Sequence, residues 1–177
     1  MAVALAIVLD LVSKMLPVPR LPYGGSISLR MLPIFVVAFR HGWKAGVAAG
    51  AIYGLAELLI SPFLFHPVQV LLDYPVAFGA VGLAGLTAVR LGPENSSSIR
   101  TRAGILLGVV VGNGARFCSH FVSGMVFFGH LAPAGQPVWL YSLIYNGSYI
   151  IPETIITILL LQILLPRLYG IWIPGRK

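Results

Sequence analysis

Asp73, Glu57, Glu153, Arg116, His120 and Asn146 all stand inside long apolar runs of a 177-residue chain. A polar or ionisable side chain in such a run is costly to bury and is a functional-site candidate by default. Asp10, near the end of the first run, is a further one. The spacing of these groups is helical. Arg116, His120 and Gly124 follow at i, i+4 and i+8, on one face, with Asn113 and Phe117 flanking the stripe. Ser142, Asn146, Tyr149 and Glu153 follow at i, i+4, i+7 and i+11, and Tyr141 and Tyr145 widen the same side. Depth agrees with spacing. Asp73 is six residues from the turn at Pro67, about 9 Å along a helix. His120 is eight residues from the turn after Phe128, and Asn146 eight from the start near Val138, about 12 Å in each case. Three helices thus bring polar groups to a similar depth, as a pocket open at one end of a bundle requires. One carboxylate, one imidazole and one amide among aromatic rings suit a small, flat, partly cationic ligand. The rings can stack on it or hold its charge by cation–π contact, and Asp73 can neutralise it.

Structural readings stand beside these. Asp73 paired with Arg116 would be purely structural, and His120, Asn146 and Ser142 are all types that hydrogen-bond between membrane helices. Tyr141 falls where an interfacial aromatic belt is expected. Glu57 and Glu153 are as compatible with packing or gating as with ligand contact. His66 and His130 fall in loops. No histidine pair has i, i+4 metal-ligand spacing, and there is no GxSxG, HExxH or phosphate-cradling loop. The glycines of GVVVGNG lie in an apolar run that follows no strand and read as close helix packing. No enzyme, metal site or cofactor is indicated, so uphill movement of a ligand would need a partner or an ion gradient.

The elements that carry these groups follow from composition. Hydrophobic residues make up 58% of the chain and charged residues 10%, against about 25% charged in a soluble domain. That excludes a cytosolic enzyme, a nucleic-acid-binding domain and a disordered chain. With about 20 apolar residues per span, one all-α integral membrane domain over 1–177 is expected. Its helices fall near 1–16, 28–39, 45–60, 68–89, 103–128 and 138–165, with a Pro/Gly-rich loop at 18–27. The second is brief for a span and fits a start inside the protein rather than in lipid. The start lacks a basic segment and cleavage site, so no signal peptide is indicated. The single cysteine, Cys118, excludes a disulfide framework. Eight of the twelve Lys and Arg (Arg40, Lys44, Arg90, Arg100, Arg102, Arg167, Arg176 and Lys177) fall on the inside if both termini are cytoplasmic. Lys14, Arg20 and Arg30 fall outside, so the positive-inside rule favours that orientation. The net charge of +7 then reports topology, not nucleic acid.

Four segments together carry a family resemblance. GGSISLRMLPIFVVAFRHGWKAGVAAGAIYGL, HPVQVLLDYPVAFGAVGLAG, NGARFCSHFVSG and YSLIYNGSYIIPE resemble, in order and spacing over nearly the whole chain, the thiamine-binding S component of energy-coupling factor (ECF) vitamin transporters. The resemblance implies a multi-pass protein of the bacterial plasma membrane with six transmembrane helices. It implies a thiamine pocket near the outer surface, capped by the first loop. It also implies docking on a membrane-embedded T component with two ABC-type ATPases. Asp73 would face the thiazolium charge, with Tyr74 beside it; His120 would stack on the ligand, and Gly124 would offer backbone contact. Phe128 would stand where some relatives stack a Trp. Tyr141 and Asn146 would bond the aminopyrimidine, and Arg116 would lie near the hydroxyethyl end. Gly24 and Gly25 stand where some relatives carry a lid Trp, and Arg30 near an expected acid. The small pair Ala2 and Ala6 would dock the T component by letting helices approach closely. Among tryptophans, Trp139 is expected nearest the pocket. The alternatives are an S component for another vitamin or precursor, a small membrane enzyme, and a structural subunit without ligand.

Overall fold

The structure, a computed structural model, describes residues 1–15, 17, 21–22, 25–87 and 98–172, the last four of these by backbone alone. Arg20 and Gly24, Arg90 with the rest of loop 88–97, and Arg176 and Lys177 lie outside the described residues. No strand is present among the described residues. The chain forms α1 (Ala2–Met15), α2 (Leu32–His41), α3 (Trp43–Ile60), α4 (Pro67–Leu86), α5 (Ile99–Phe127) and α6 (Val138–Trp172). The last four are long and apolar enough to cross a membrane.

The second helix is the short one, as its sequence indicated. Its ten residues rise about 15 Å, half of the roughly 30 Å hydrocarbon core. It starts at Leu32 rather than Ser28, with Pro33 in its first turn, where the missing N–H costs nothing. Residues 25–31 approach it as non-helical backbone, which membrane depth permits only inside protein or beside a cavity. Ser28, Arg30 and Met31 are accordingly buried. The Leu29 N–H donates to Ser13 Oγ (3.1 Å), and that hydroxyl donates to the Leu9 carbonyl (2.7 Å). α1 thereby serves the backbone that α2 cannot.

α3 and α4 touch backbone to backbone. A Cβ on Gly50 would lie 2.1 Å from the Phe78 carbonyl oxygen, and one on Gly82 2.0 Å from the Val47 nitrogen. α4 is not the uniform helix its apolar run predicts. Its α-helical start, Pro67–Leu71, opens into a π turn at Leu72–Val76, returns to α at Ala77–Ala80 and tightens to a 3₁₀ segment at Val81–Leu86. Pro75 lies in the π turn. In an α-helix its ring would strike the carbonyl four residues back, and the wider turn relieves that.

α5 begins at Ile99, earlier than expected, because Ser98 caps it: its Oγ accepts from the Thr101 N–H at 3.2 Å. α6 runs past its expected end, through Pro152 and Pro166. Leu5, Val8, Leu11 and Val12 of α1 and Leu159 and Ile163 of α6 face outward, as lipid-facing surfaces do. Ala6 is 0% exposed and belongs to the core, so of the small pair only Ala2 reaches the surface.

Candidate functional site

A cavity of about 260 Å³ opens among the end of α1, residues 21–30, the end of α3, and α4, α5 and α6. Asp73, Tyr74, Arg116, His120, Gly124, Phe128, Tyr141 and Asn146 all line it. Three separate helices therefore converge on one cavity. Small-molecule pockets are of order 300–1,000 Å³, so this one suits a ligand of one or two small rings.

The π turn sets Asp73 among donors. Its Oδ1 lies 3.0 Å from His120 Nδ1, and its Oδ2 accepts from Ser123 Oγ (2.9 Å) and Gln69 Nε2 (2.8 Å). Arg116 is not its partner. The Arg116 guanidinium donates to Glu153 Oε1 at 2.6 Å, with both side chains 1% exposed. The structural reading of an Asp73–Arg116 pair is thus corrected. Glu153 lies seven residues beyond Asn146, about two turns along α6, and takes the guanidinium away from Asp73.

A second ionic cluster explains Arg30. Its guanidinium lies 3.2 Å from Asp10 and 3.5 Å from Glu57, and Lys14 lies 2.6 Å and 3.6 Å from the same two acids. Tyr53 donates to Glu57 at 3.2 Å. The acid expected near position 30 comes instead from α1 and α3. Arg30 and Arg116 each lie 5.4 Å from the ring centre of Phe78, so one phenyl ring holds two buried cations apart by cation–π contact. Phe78 also meets His120 edge-on at 6.2 Å.

The ring-lined walls follow. Asn146 donates to the Ser142 carbonyl (2.9 Å) and accepts from Tyr149 (2.8 Å), while Ser142 donates to the Phe121 carbonyl (2.8 Å). Asn146 is therefore both helix glue and cavity lining. A Cβ on Gly124 would sit 2.3 Å from Ser142 Oγ, so α5 and α6 close here on a glycine and a larger residue would displace the Ser142 hydroxyl. Phe128 stands 5.8 Å from Phe63 and 5.8 Å from Phe65, and Phe65 stacks on His130 at 5.6 Å. His66, a loop residue as expected, caps α4 by accepting from the Val68 N–H at 3.2 Å. At the mouth, the Gly25 N–H donates to the Tyr145 hydroxyl (3.1 Å), which donates to the Pro22 carbonyl. A Cβ on Gly25 would lie 2.9 Å from the Tyr149 ring. The position expected to lack a Trp contact is one where ring and loop already touch.

Sequence reasoning missed Gln69, Phe63 and Phe78. Gln69 is one turn before Asp73 on the same face, which was its available signal; two phenylalanines among nine offered none. Trp139, expected nearest the pocket, does not line it and is largely exposed. Among the described residues, no three His, Cys, Asp or Glu are grouped to hold a metal ion.

A helical protein with four membrane-length apolar helices and a small cavity lined by aromatic rings and ionisable groups, Asp73 among them, has the form of a solute-handling membrane protein. The chain matches the family described as "Thiamine transporter protein (Thia_YuaJ)" over residues 1–171 and belongs to it. It is 43% identical over 171 residues to the thiamine transporter ThiT of Bacillus subtilis, covering 93% of this chain and 88% of that protein. To ThiT of Lacticaseibacillus paracasei it is 34% identical over 148 residues, 78% and 74% of the two chains. A solved structure of ThiT from Listeria monocytogenes superposes with a TM-score of 0.82 at 26% identity, covering 95% and 94% of the two chains. The relatives carry the name of a transporter and not of an enzyme.

Proposed function

We propose that this chain is the thiamine-binding specificity subunit, or S component, of an ECF-type importer. It captures the vitamin at the outer face, with both termini cytoplasmic, and performs no chemistry on it. The observation that carries this is charge. In and around the cavity, Asp10 and Glu57 face Lys14 and Arg30, and Glu153 faces Arg116. Among the described residues, Asp73 meets hydrogen-bond donors and an imidazole but no Lys or Arg. With that imidazole neutral, the described residues of the site carry one negative charge in excess, which a permanent monocation such as thiazolium cancels. Uncharged vitamins leave Asp73 uncompensated at low dielectric, where an unpaired charge is expensive. The aminopyrimidine would lie toward Tyr141 and Asn146, and the hydroxyethyl group toward Arg116. The T component, which two ATPases would drive, would meet the apolar outer face of α1, where Ala2 lies.

The test is calorimetry of thiamine on the detergent-solubilised chain and on Asp73→Asn. Truncating one partner of a buried, hydrogen-bonded charge pair costs about 2–5 kcal/mol, or roughly 30-fold to several-thousand-fold in affinity. Unchanged binding by the variant would sink the assignment. Calorimetry is preferred to tryptophan fluorescence because neither Trp43 nor Trp139 lines the cavity.

A further inference from the structure

Gln69 is 1% exposed, and its side-chain amide makes three hydrogen bonds at the cavity wall. Its Nε2 donates to Asp73 Oδ2 at 2.8 Å and to the Phe63 carbonyl at 3.3 Å, and its Oε1 accepts from the Phe65 N–H at 3.1 Å. The amide thus ties a carboxylate in α4 to the backbone on both sides of Leu64. That segment places Phe63 on the cavity and Phe65 against Phe128. The donor–acceptor order is specific to glutamine at this length. Glutamate has no donor for Asp73, and lysine has no acceptor for the Phe65 N–H. Tyr74 offers a contrast. Its hydroxyl accepts from the Phe63 N–H (2.8 Å) and donates to the Ser61 carbonyl (3.1 Å), bracing the same segment without a hydrogen bond to the Asp73 carboxylate.

We propose that Gln69 is a positioning residue for ligand recognition. It holds Asp73 Oδ2 toward the cation and makes the 63–65 wall part of the same unit, so that charge recognition and ring recognition are set together. This rests on the reading of Asp73 as the ligand's counter-charge.

The experiment measures affinity for two probes on the full chain in detergent. One is thiamine, and the other is an uncharged isostere in which a neutral aromatic ring replaces thiazolium. Gln69→Met and Gln69→Asn are both made, in the wild type and in Asp73→Asn, with Tyr74→Phe as the comparison. The ratio of the two affinities is internal to each sample, so a reduced folded fraction does not distort it. Each Gln69 variant is expected to lose at least about tenfold in thiamine affinity, the worth of a hydrogen bond to a charged group. The isostere is expected to lose no more than about twofold, and the thiamine loss to shrink to about twofold in Asp73→Asn, the limit of additive behaviour. Tyr74→Phe is expected to weaken both probes alike. Equal losses for both probes and in both backgrounds would reduce Gln69 to loop packing, and unchanged thiamine affinity would likewise overturn the proposal. A wild type that binds the isostere as tightly as thiamine, with Asp73→Asn silent, instead overturns the reading of Asp73 itself.

Discussion

Asp73 was legible in the sequence because a carboxylate six residues inside an apolar run has few reasons to be there. His120 and Asn146 were legible for the same reason, one per helix at a matching depth. The partner of Arg116 was not legible. Two acids, Asp73 and Glu153, lay within reach on neighbouring helices, and the choice depends on helix rotation, which spacing along one chain does not fix. Gln69 escaped because a neutral amide is no anomaly of charge. The Arg116–Glu153 pair, at 2.6 Å and 1% exposure, carries a prediction of its own. Arg116→Leu alone should destabilise the protein by about 3–5 kcal/mol, since it strands a buried carboxylate. Arg116→Leu with Glu153→Leu should recover most of that, because apolar replacement of a buried pair is often neutral. Thermal unfolding in detergent reads both, and a double variant no more stable than the single would contradict the pairing.

At the scale of elements, the six helices and the brevity of the second followed from apolar run length and from Pro, Gly and charge at the breaks. The internal structure of α4 did not. Its Pro75 signalled an irregularity, but a kink, a break and a π turn all satisfy a proline, and packing against α3 selects among them. Glycine likewise announced close contact without saying where. Gly82→Ala places a Cβ 2.0 Å from backbone of α3, whereas Gly114 has open space around it. Gly82→Ala should therefore cost at least about 1–3 kcal/mol by overpacking. Gly114→Ala should be neutral or stabilising by up to about 1 kcal/mol, from helix propensity. Melting temperatures of the two variants, measured side by side, test whether the α3–α4 seam is as tight as it looks.

At the scale of the whole molecule, the cavity is closed by a chain of small contacts: Tyr145 on α6 to Gly25 and Pro22 in the first loop, and Ser13 on α1 to Leu29. The loop was recognisable from its Pro and Gly content, yet its anchor on a helix 120 residues away has no local signature. Tyr145→Phe removes both hydrogen bonds and leaves the ring. It should speed thiamine dissociation roughly tenfold, about 1.4 kcal/mol if a single neutral hydrogen bond decides the rate, with little change in association. Stopped-flow exchange against excess ligand measures it, and an unaltered off-rate would free the loop from any gating role. The buried ion pair also constrains how the protein is made. Arg116 precedes Glu153 by 37 residues, so α5 is synthesised ahead of the helix that neutralises its charge. A lone arginine near a span's centre costs about 2.5–3.5 kcal/mol at the translocon. Pairing with Glu153 offsets that cost, so α5 should sit more firmly in the bilayer beside α6 than alone.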